Sequence, residues 1–425
     1  MTAPRQGSLA ADRVAQSGLY LLMASIPFEY PDRTIPMEIP TLTAAVFLLG
    51  TMLHPGRCYG RLPTPVLWFA AYLLVYAAAM LIAPEHVYET VSELVIVLQG
   101  VLVLLAAGNL MADERVATRA MLVFVAACSV RAALPLLGLA RTASTVWTGG
   151  ERVSALGQNA NSAAMILAAG MVALIGLAYS HRKEGRLGLL LAAGLGAVIG
   201  YAVLETGSRG GLLALLGGVL VFALAADTLR ARIRNMAIGL IAITMLLVGA
   251  FQLPVMKNRW EDSVRTGNLA GREKLYPALW TMFLEKPVLG WGPVNNRYEL
   301  AVRIGERERP HRAAHNIVLE LLTATGAVGA VAFLTGCALC VQQAWRARRS
   351  SLGVLPLALL FSVFLSNMSG DWIASKLIWI VLAFAYASGM WGKVSSTSPA
   401  AARRQSWGMR SLVPVPVRYP SGRRR

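Results

Sequence analysis

Charge is what this chain has least of. Only 15% of its 425 residues are Asp, Glu, Lys or Arg, against about 25% in a soluble domain. That excludes an ordinary soluble enzyme and a charge-rich disordered chain. Cysteine is scarce as well: the four are Cys58, Cys128, Cys337 and Cys340. None falls in a segment read below as an outer loop, so no disulfide framework is implied. Cys337 and Cys340 stand three apart without histidine or carboxylate company, which reads as small packing residues and not as a metal pair. No His/Cys/carboxylate set has metal-ligand spacing. There is no Walker A sequence, no Asp-x-Asp on a nucleotide loop and no internal repeat. The short alternating segments of an outer-membrane barrel are missing too.

What fills the chain is hydrocarbon. Apolar residues make up 56% and the mean hydropathy is +0.55. At about 20 residues per crossing this allows about twelve spanning helices. Apolar runs lie near 14–30, 37–54, 63–84, 90–111, 117–140, 159–180, 187–204, 208–226, 236–254, 316–341, 351–367 and 373–391. The fold class is therefore an all-α polytopic membrane protein. With the N-terminus inside, the inner loops and tails carry the whole net charge of +18, so the positive-inside rule puts both termini in the cytoplasm. The basic excess is a topology signal and a pull toward membrane lipids, not a nucleic-acid footprint. The N-terminal apolar run has no clear cleavage site and reads as an uncleaved first span.

One segment breaks the rhythm of short loops. Residues 255–315 lie on the outer side between the ninth and tenth spans and hold eleven basic and seven acidic residues. A loop of this length is usually functional. Within it Leu275, Leu279, Met282 and Phe283 recur at three- and four-residue steps, which predicts an amphipathic helix at the membrane surface. Pro287, Gly290, Trp291, Gly292 and Pro293 should end that helix. The chain thus divides into spans one to nine (1–254), the large loop (255–315), spans ten to twelve (316–391) and a basic, disordered inner tail (392–425).

The residues that could carry chemistry gather on the outer side. Arg209, in Glu205-Thr-Gly-Ser-Arg-Gly-Gly211, sits on a connector too short for a loose loop, with Ser208 before it. A guanidinium beside a helix N-terminus suits a phosphate, though a snorkelling arginine explains it equally well. The glycines around it would let a ligand approach the backbone. Arg272 opens the loop helix in Gly271-Arg-Glu-Lys-Leu-Tyr-Pro-Ala-Leu-Trp280, where a solvated face residue is the simpler reading; Trp280 suits an interface. His315-Asn316 closes the loop, with Glu320 five residues on and then Gly326 and Gly329. A histidine there can serve as a general base, or can be structural. Arg152, Asn159 and Asn161 lead into the sixth span, where the asparagines can cap the helix or meet sugar hydroxyls. Arg131, Asp371 and Lys376 are ionisable groups at membrane depth whose role, pairing or site, stays open.

A Ser-Arg-Gly-Gly turn, Gly-Arg-x-x-Leu-x-x-x-x-Trp, Pro-x-x-Gly-x-Gly and His-Asn-x9-Gly-x-x-Gly, in this order over about 150–391, resemble the O-antigen ligase and polymerase superfamily of bacterial inner-membrane glycosyltransferases. The resemblance implies about 12 spans under a large periplasmic loop, and a cleft facing the periplasm. It also implies an undecaprenyl-pyrophosphate-linked glycan as donor, no metal or other cofactor, and an inverting transfer. Carried over by motif, Arg209 and Arg272 would hold the pyrophosphate and His315 would activate or orient the acceptor hydroxyl, supported by Asn316 and Glu320. The His-Asn-x9-Gly-x-x-Gly spacing looks most like the ligases, whose acceptor is lipid A–core. Polymerases and protein O-oligosaccharyltransferases use similar sites and differ in the acceptor. A secondary transporter is the alternative from another class; the unequal halves and the one-sided polar clusters count against it.

Overall fold

The computed structural model describes residues 6–29, 39–139, 141–143, 153–156, 158–180, 185–225, 228–267, 271–306, 310–370 and 372–391. Within them the chain is almost wholly helical. The helices are α1 (Gln6–Ser25), α2 (Ile39–Thr51), α3 (Pro55–Cys58), α4 (Thr64–Met80), α5 (Val87–Leu110), α6 (Glu114–Leu136), α7 (Ala160–Ser180), α8 (Arg186–Glu205), α9 (Arg209–Leu224), α10 (Leu229–Gln252), α11 (Pro254–Thr266), α12 (Arg272–Glu285), α13 (Asn295–Arg303), α14 (Ile317–Arg346), α15 (Leu355–Asn367) and α16 (Lys376–Ser388). One small antiparallel ladder pairs β1 (Arg141–Ala143) with β2 (Val153–Ala155). A helix lies at each apolar run of the sequence. Among the described residues, six helical stretches are long and apolar enough to cross a membrane: Pro84–Leu110, Glu114–Leu136, Ala160–Ser180, Arg186–Glu205, Arg232–Gln252 and Ile317–Arg349. Five shorter apolar helices, α2, α4, α9, α15 and α16, pack among them.

In such a bundle small residues set how closely helices approach. Gly336 of α14 lies under the Phe69 ring of α4, and Gly100 of α5 lies under Trp379 of α16. The rings of Phe69, Phe333 and Trp379 then meet edge to face, 5.2–6.1 Å apart, the geometry that ring quadrupoles favour. A buried polar network ties four elements at one end. Arg131 donates to Gln158 Oε1 at 2.6 Å, and Gln158 donates to the Glu29 carbonyl at 2.5 Å. The Glu29 carboxylate accepts from Ser375 Oγ at 2.6 Å and from the Lys376 backbone N–H at 3.0 Å. Arg131 through its side chain and Lys376 through its backbone N–H are thus parts of a structural cross-link; Asp371 lies outside the described residues.

The feature that positions the site is a break in α14. Gly326 has φ +65° and ψ −169°, which interrupts the helix and would strand backbone groups in an apolar interior. The chain between α12 and α13 fills the gap. Ala327 N–H donates to Pro287 C=O at 2.7 Å, Val328 N–H to Val288 C=O at 3.4 Å, and Trp291 N–H to Thr323 C=O at 2.7 Å. A Cβ at Gly326 would overlap the Val288 carbonyl, and one at Gly290 would overlap that of Thr323. The paired glycine motifs are therefore two halves of one backbone joint. Trp291 locks it: its indole N–H donates to Met282 C=O at 2.8 Å, with Lys286 Nζ 3.7 Å and Arg303 4.8 Å from its ring centre.

A second clamp is ionic. Arg297 of α13 reaches Glu93 of α5 at 2.5 Å and Glu320 of α14 at 3.0 Å. Glu320 is only 4% exposed, so removing its partner would leave a buried uncompensated charge. With the joint and the clamp in place, α12 packs Leu275, Leu279 and Met282 against Leu300 and Ala314. Gly326→Ala should meet both the overlap and the positive φ, at a cost of about 2 kcal/mol or more. The thermal midpoint of the detergent-solubilised protein should fall by several degrees. Gly194→Ala, where a Cβ meets nothing, should leave it unchanged.

Candidate functional site

α12 begins just after Gly271, whose left-handed φ of +83° turns the chain into the helix. Arg272 and Tyr276 follow at i and i+4 and so share one face. Arg272 Nη2 donates to the Ser369 carbonyl at 3.0 Å. The Tyr276 hydroxyl lies within hydrogen-bond reach of two carbonyls, Met368 at 3.2 Å and His315 at 3.3 Å. One helical face thus joins the loop following α15 to the residue that precedes α14.

The Arg209 turn arrives at the same place. Ser208 caps α9, its hydroxyl accepting from Gly211 N–H at 3.2 Å, and Arg209 is the half-buried first residue of that helix. A Cβ at Gly210 would overlap the Ser369 hydroxyl and one at Gly211 would overlap Ala164. These glycines, expected to open the backbone to a ligand, instead allow close packing on Ser369 and α7. Ser369 consequently joins both arginine turns: its carbonyl holds Arg272, and its side chain lies against the neighbour of Arg209.

His315 completes the cluster in a left-handed conformation, φ +51°, uncommon for a side chain of its size. Burial, with the nearby charges of Arg312 and Arg272, pushes its pKa from 6.5 down to about 4. Its imidazole is therefore neutral at pH 7 and can accept a hydrogen bond. Arg312 Nη2 lies 4.0 Å from where a Cβ on Gly271 would stand, beside the turn that launches Arg272. Arg272 forms no salt bridge among the described residues, and its buried Nε has no hydrogen-bond partner. Two guanidinium groups and a neutral imidazole, with spare donors, have the chemistry that suits an anion.

The other residues marked in the sequence fall elsewhere or serve the frame. Asn316 caps α14, accepting from Val318 N–H at 3.0 Å and Leu319 N–H at 3.1 Å. Asn159 accepts from Asn161 N–H at 2.8 Å at the start of α7. Glu320 belongs to the Arg297 clamp. Trp280 is exposed beside Phe283, ring centres 5.4 Å apart. Arg152 lies outside the described residues. Three members of the cluster were not singled out in the sequence: Tyr276, Ser369 and Arg312. The i+4 spacing from Arg272 could have signalled Tyr276, and the polar run Ser366-Asn367-Met368-Ser369 between two apolar helices could have signalled Ser369. Arg312 stands one helical turn's spacing before His315.

The lowered pKa of His315 has a sign. The unfolded chain takes the proton first as pH falls, so stability is fully present above about pH 6.5 and drains away toward about 4. Melting of the solubilised protein between pH 7 and 4.5 should show a smaller fall for His315→Gln than for wild type. Equal falls would mean that His315 is not held neutral by the fold.

Residues 195–334 match the protein-family model described as O-antigen ligase. No curated protein matches the chain. The matched segment runs from α8 into α14 and contains Arg209, Arg272, Arg312 and His315. It supports an O-antigen ligase or polymerase type of protein, glycosyltransferase-like and of a bacterial membrane, with lipid-linked glycans and lipid acceptors as partners in general.

Proposed function

From the O-antigen ligase superfamily, to which the match over residues 195–334 assigns this part of the chain, we propose that the protein is an O-antigen ligase. It moves a glycan from undecaprenyl pyrophosphate to lipid A–core at the periplasmic face of the inner membrane. The observation that carries this reading is the convergence of Arg272, the Arg209 turn and neutral His315 on Ser369 and Tyr276. On this reading about twelve helices cross the bilayer, both termini are cytoplasmic, and residues 255–315 form a periplasmic lid held by the Gly326 joint.

The chemistry follows from the groups present. The acceptor hydroxyl oxygen attacks the anomeric carbon, the bond from that carbon to the pyrophosphate oxygen breaks, and the hydroxyl proton passes to His315. The leaving pyrophosphate keeps the bonding electrons, and Arg272 and Arg209 stabilise the charge that develops on it. Asn316 and Glu320 act at one remove, by fixing the start of α14 beneath His315. Asn159, Asn161, Arg152 and Trp280 are proposed as contacts of the extended glycan.

A polymerase or a protein O-oligosaccharyltransferase would use the same cluster with another acceptor. Lipopolysaccharide banding of a deletion strain, complemented with wild type or His315→Ala, separates them. Loss of all O-antigen on core in the His315→Ala strain, with carrier-linked polymer accumulating, is the expected result. Collapse to single repeat units on core would replace the ligase with a polymerase, and an unchanged pattern would reject both.

A further inference from the structure

Among the described residues, Arg312 is a cation of the cluster that neither the motifs nor the proposed chemistry uses. Its backbone N–H donates to the Arg297 carbonyl at 3.0 Å, so it is anchored to the residue that clamps the loop onto Glu93 and Glu320. Its side chain is about four-fifths buried. The Nε lies 3.5 Å from Glu306, too loosely for a hydrogen bond, since both atoms remain without one. The opposite end of the guanidinium points at the Gly271 turn, from which Arg272 springs with an unused Nε of its own. These two forks flank the segment that ends at His315, and Tyr276 pins that segment by its carbonyl.

Among the described residues, the charged groups around His315 are these. Arg312 lies on its own segment, Arg272 and the uncharged Tyr276 lie on α12, and Glu320 on α14 is taken by Arg297. The Met368 and Ser369 carbonyls from the end of α15 carry no charge. Glu306 offsets Arg312 only through the loose contact. Among the described residues the charges acting on His315 are the two cations Arg312 and Arg272, and an anion placed between them offsets their field.

We propose that Arg312 is a third anion-holding arm of this site, and that an anion seated between Arg272 and Arg312 turns His315 from a poor proton acceptor into a competent one. The inference rests on the reading of this cluster as a pyrophosphate site. The base is then armed only when the lipid-linked donor is in place. The acceptor's proton passes to a histidine whose positive charge the pyrophosphate balances, and departure of the carrier expels that proton. An empty site would have no base strong enough to activate water or an acceptor alone.

The test is calorimetric binding of inorganic pyrophosphate to the full-length protein in detergent at pH 5.5, in two buffers of different ionisation heat. Wild type should take up more protons on binding than His315→Gln, whose uptake reports the ligand alone. Arg312→Met should bind roughly tenfold more weakly or worse, the scale of losing a hydrogen bond to a charged group. Arg312→Lys, which keeps the charge but not the fork, should bind weakly and keep the His315-dependent uptake. Equal uptake in wild type and His315→Gln, with binding intact, overturns the armed-base inference and leaves the anion site standing. Unweakened binding by Arg312→Met and Arg312→Lys overturns the third arm. Absence of binding by wild type overturns the pyrophosphate reading, and the inference with it.

Discussion

Everything at this site depends on a backbone joint sealed inside an apolar bundle. Opening α14 at Gly326 exposes donors and acceptors that hydrocarbon cannot satisfy, and the turn from Pro287 to Trp291 supplies their partners. The exchange is strong because the alternative is costly: an unpaired buried amide loses several kcal/mol, on the order of 2–7. It also sets position, since α12 ends only two residues before the joint. The face carrying Arg272 and Tyr276 is thereby laid over the ends of α9, α14 and α15.

The ionic clamp of Arg297 with Glu93 and Glu320 does for α13 what the joint does for α12. Together they bring groups into company they would not keep in water. Two guanidinium groups face a histidine whose backbone is strained at φ +51°, and each of them has an unused buried donor. Such local disagreement with good packing is expected where a ligand, not the protein itself, supplies the missing partner. The helix starts of α7, α9 and α14, capped by Asn159, Ser208 and Asn316, lie near the same end. Their N-terminal dipoles add to a field that favours negative charge.

Much of this was legible in the residues. Apolar runs marked the helices because a bilayer-sized stretch without charge has few other uses. The three- and four-residue spacing of Leu275, Leu279 and Met282 marked α12, and they form its buried face. Arg209, Arg272 and His315 were visible only as members of an ordered motif set, since each alone has an ordinary explanation. What stayed hidden acts through the backbone. Ser369 contributes a carbonyl, which no side-chain pattern encodes, and Gly326 and Gly290 look like flexible punctuation yet form a rigid joint. Asn316, Ser208 and Asn159 show why polar residues at helix starts are ambiguous, because a cap and a ligand contact call for the same side chain. Glu320 could be read as a site group until Arg297, 23 residues earlier, was found against it.

The central claim is that this charged cluster, held under the loop, performs glycan transfer from a pyrophosphate carrier. The most direct measurement is transfer by the purified protein, given an undecaprenyl-pyrophosphate-linked glycan and lipid A–core, comparing wild type with Arg272→Ala at matched thermal midpoints. The account predicts ligated product with wild type and its loss in the variant. Undiminished transfer by a folded Arg272→Ala protein would contradict it.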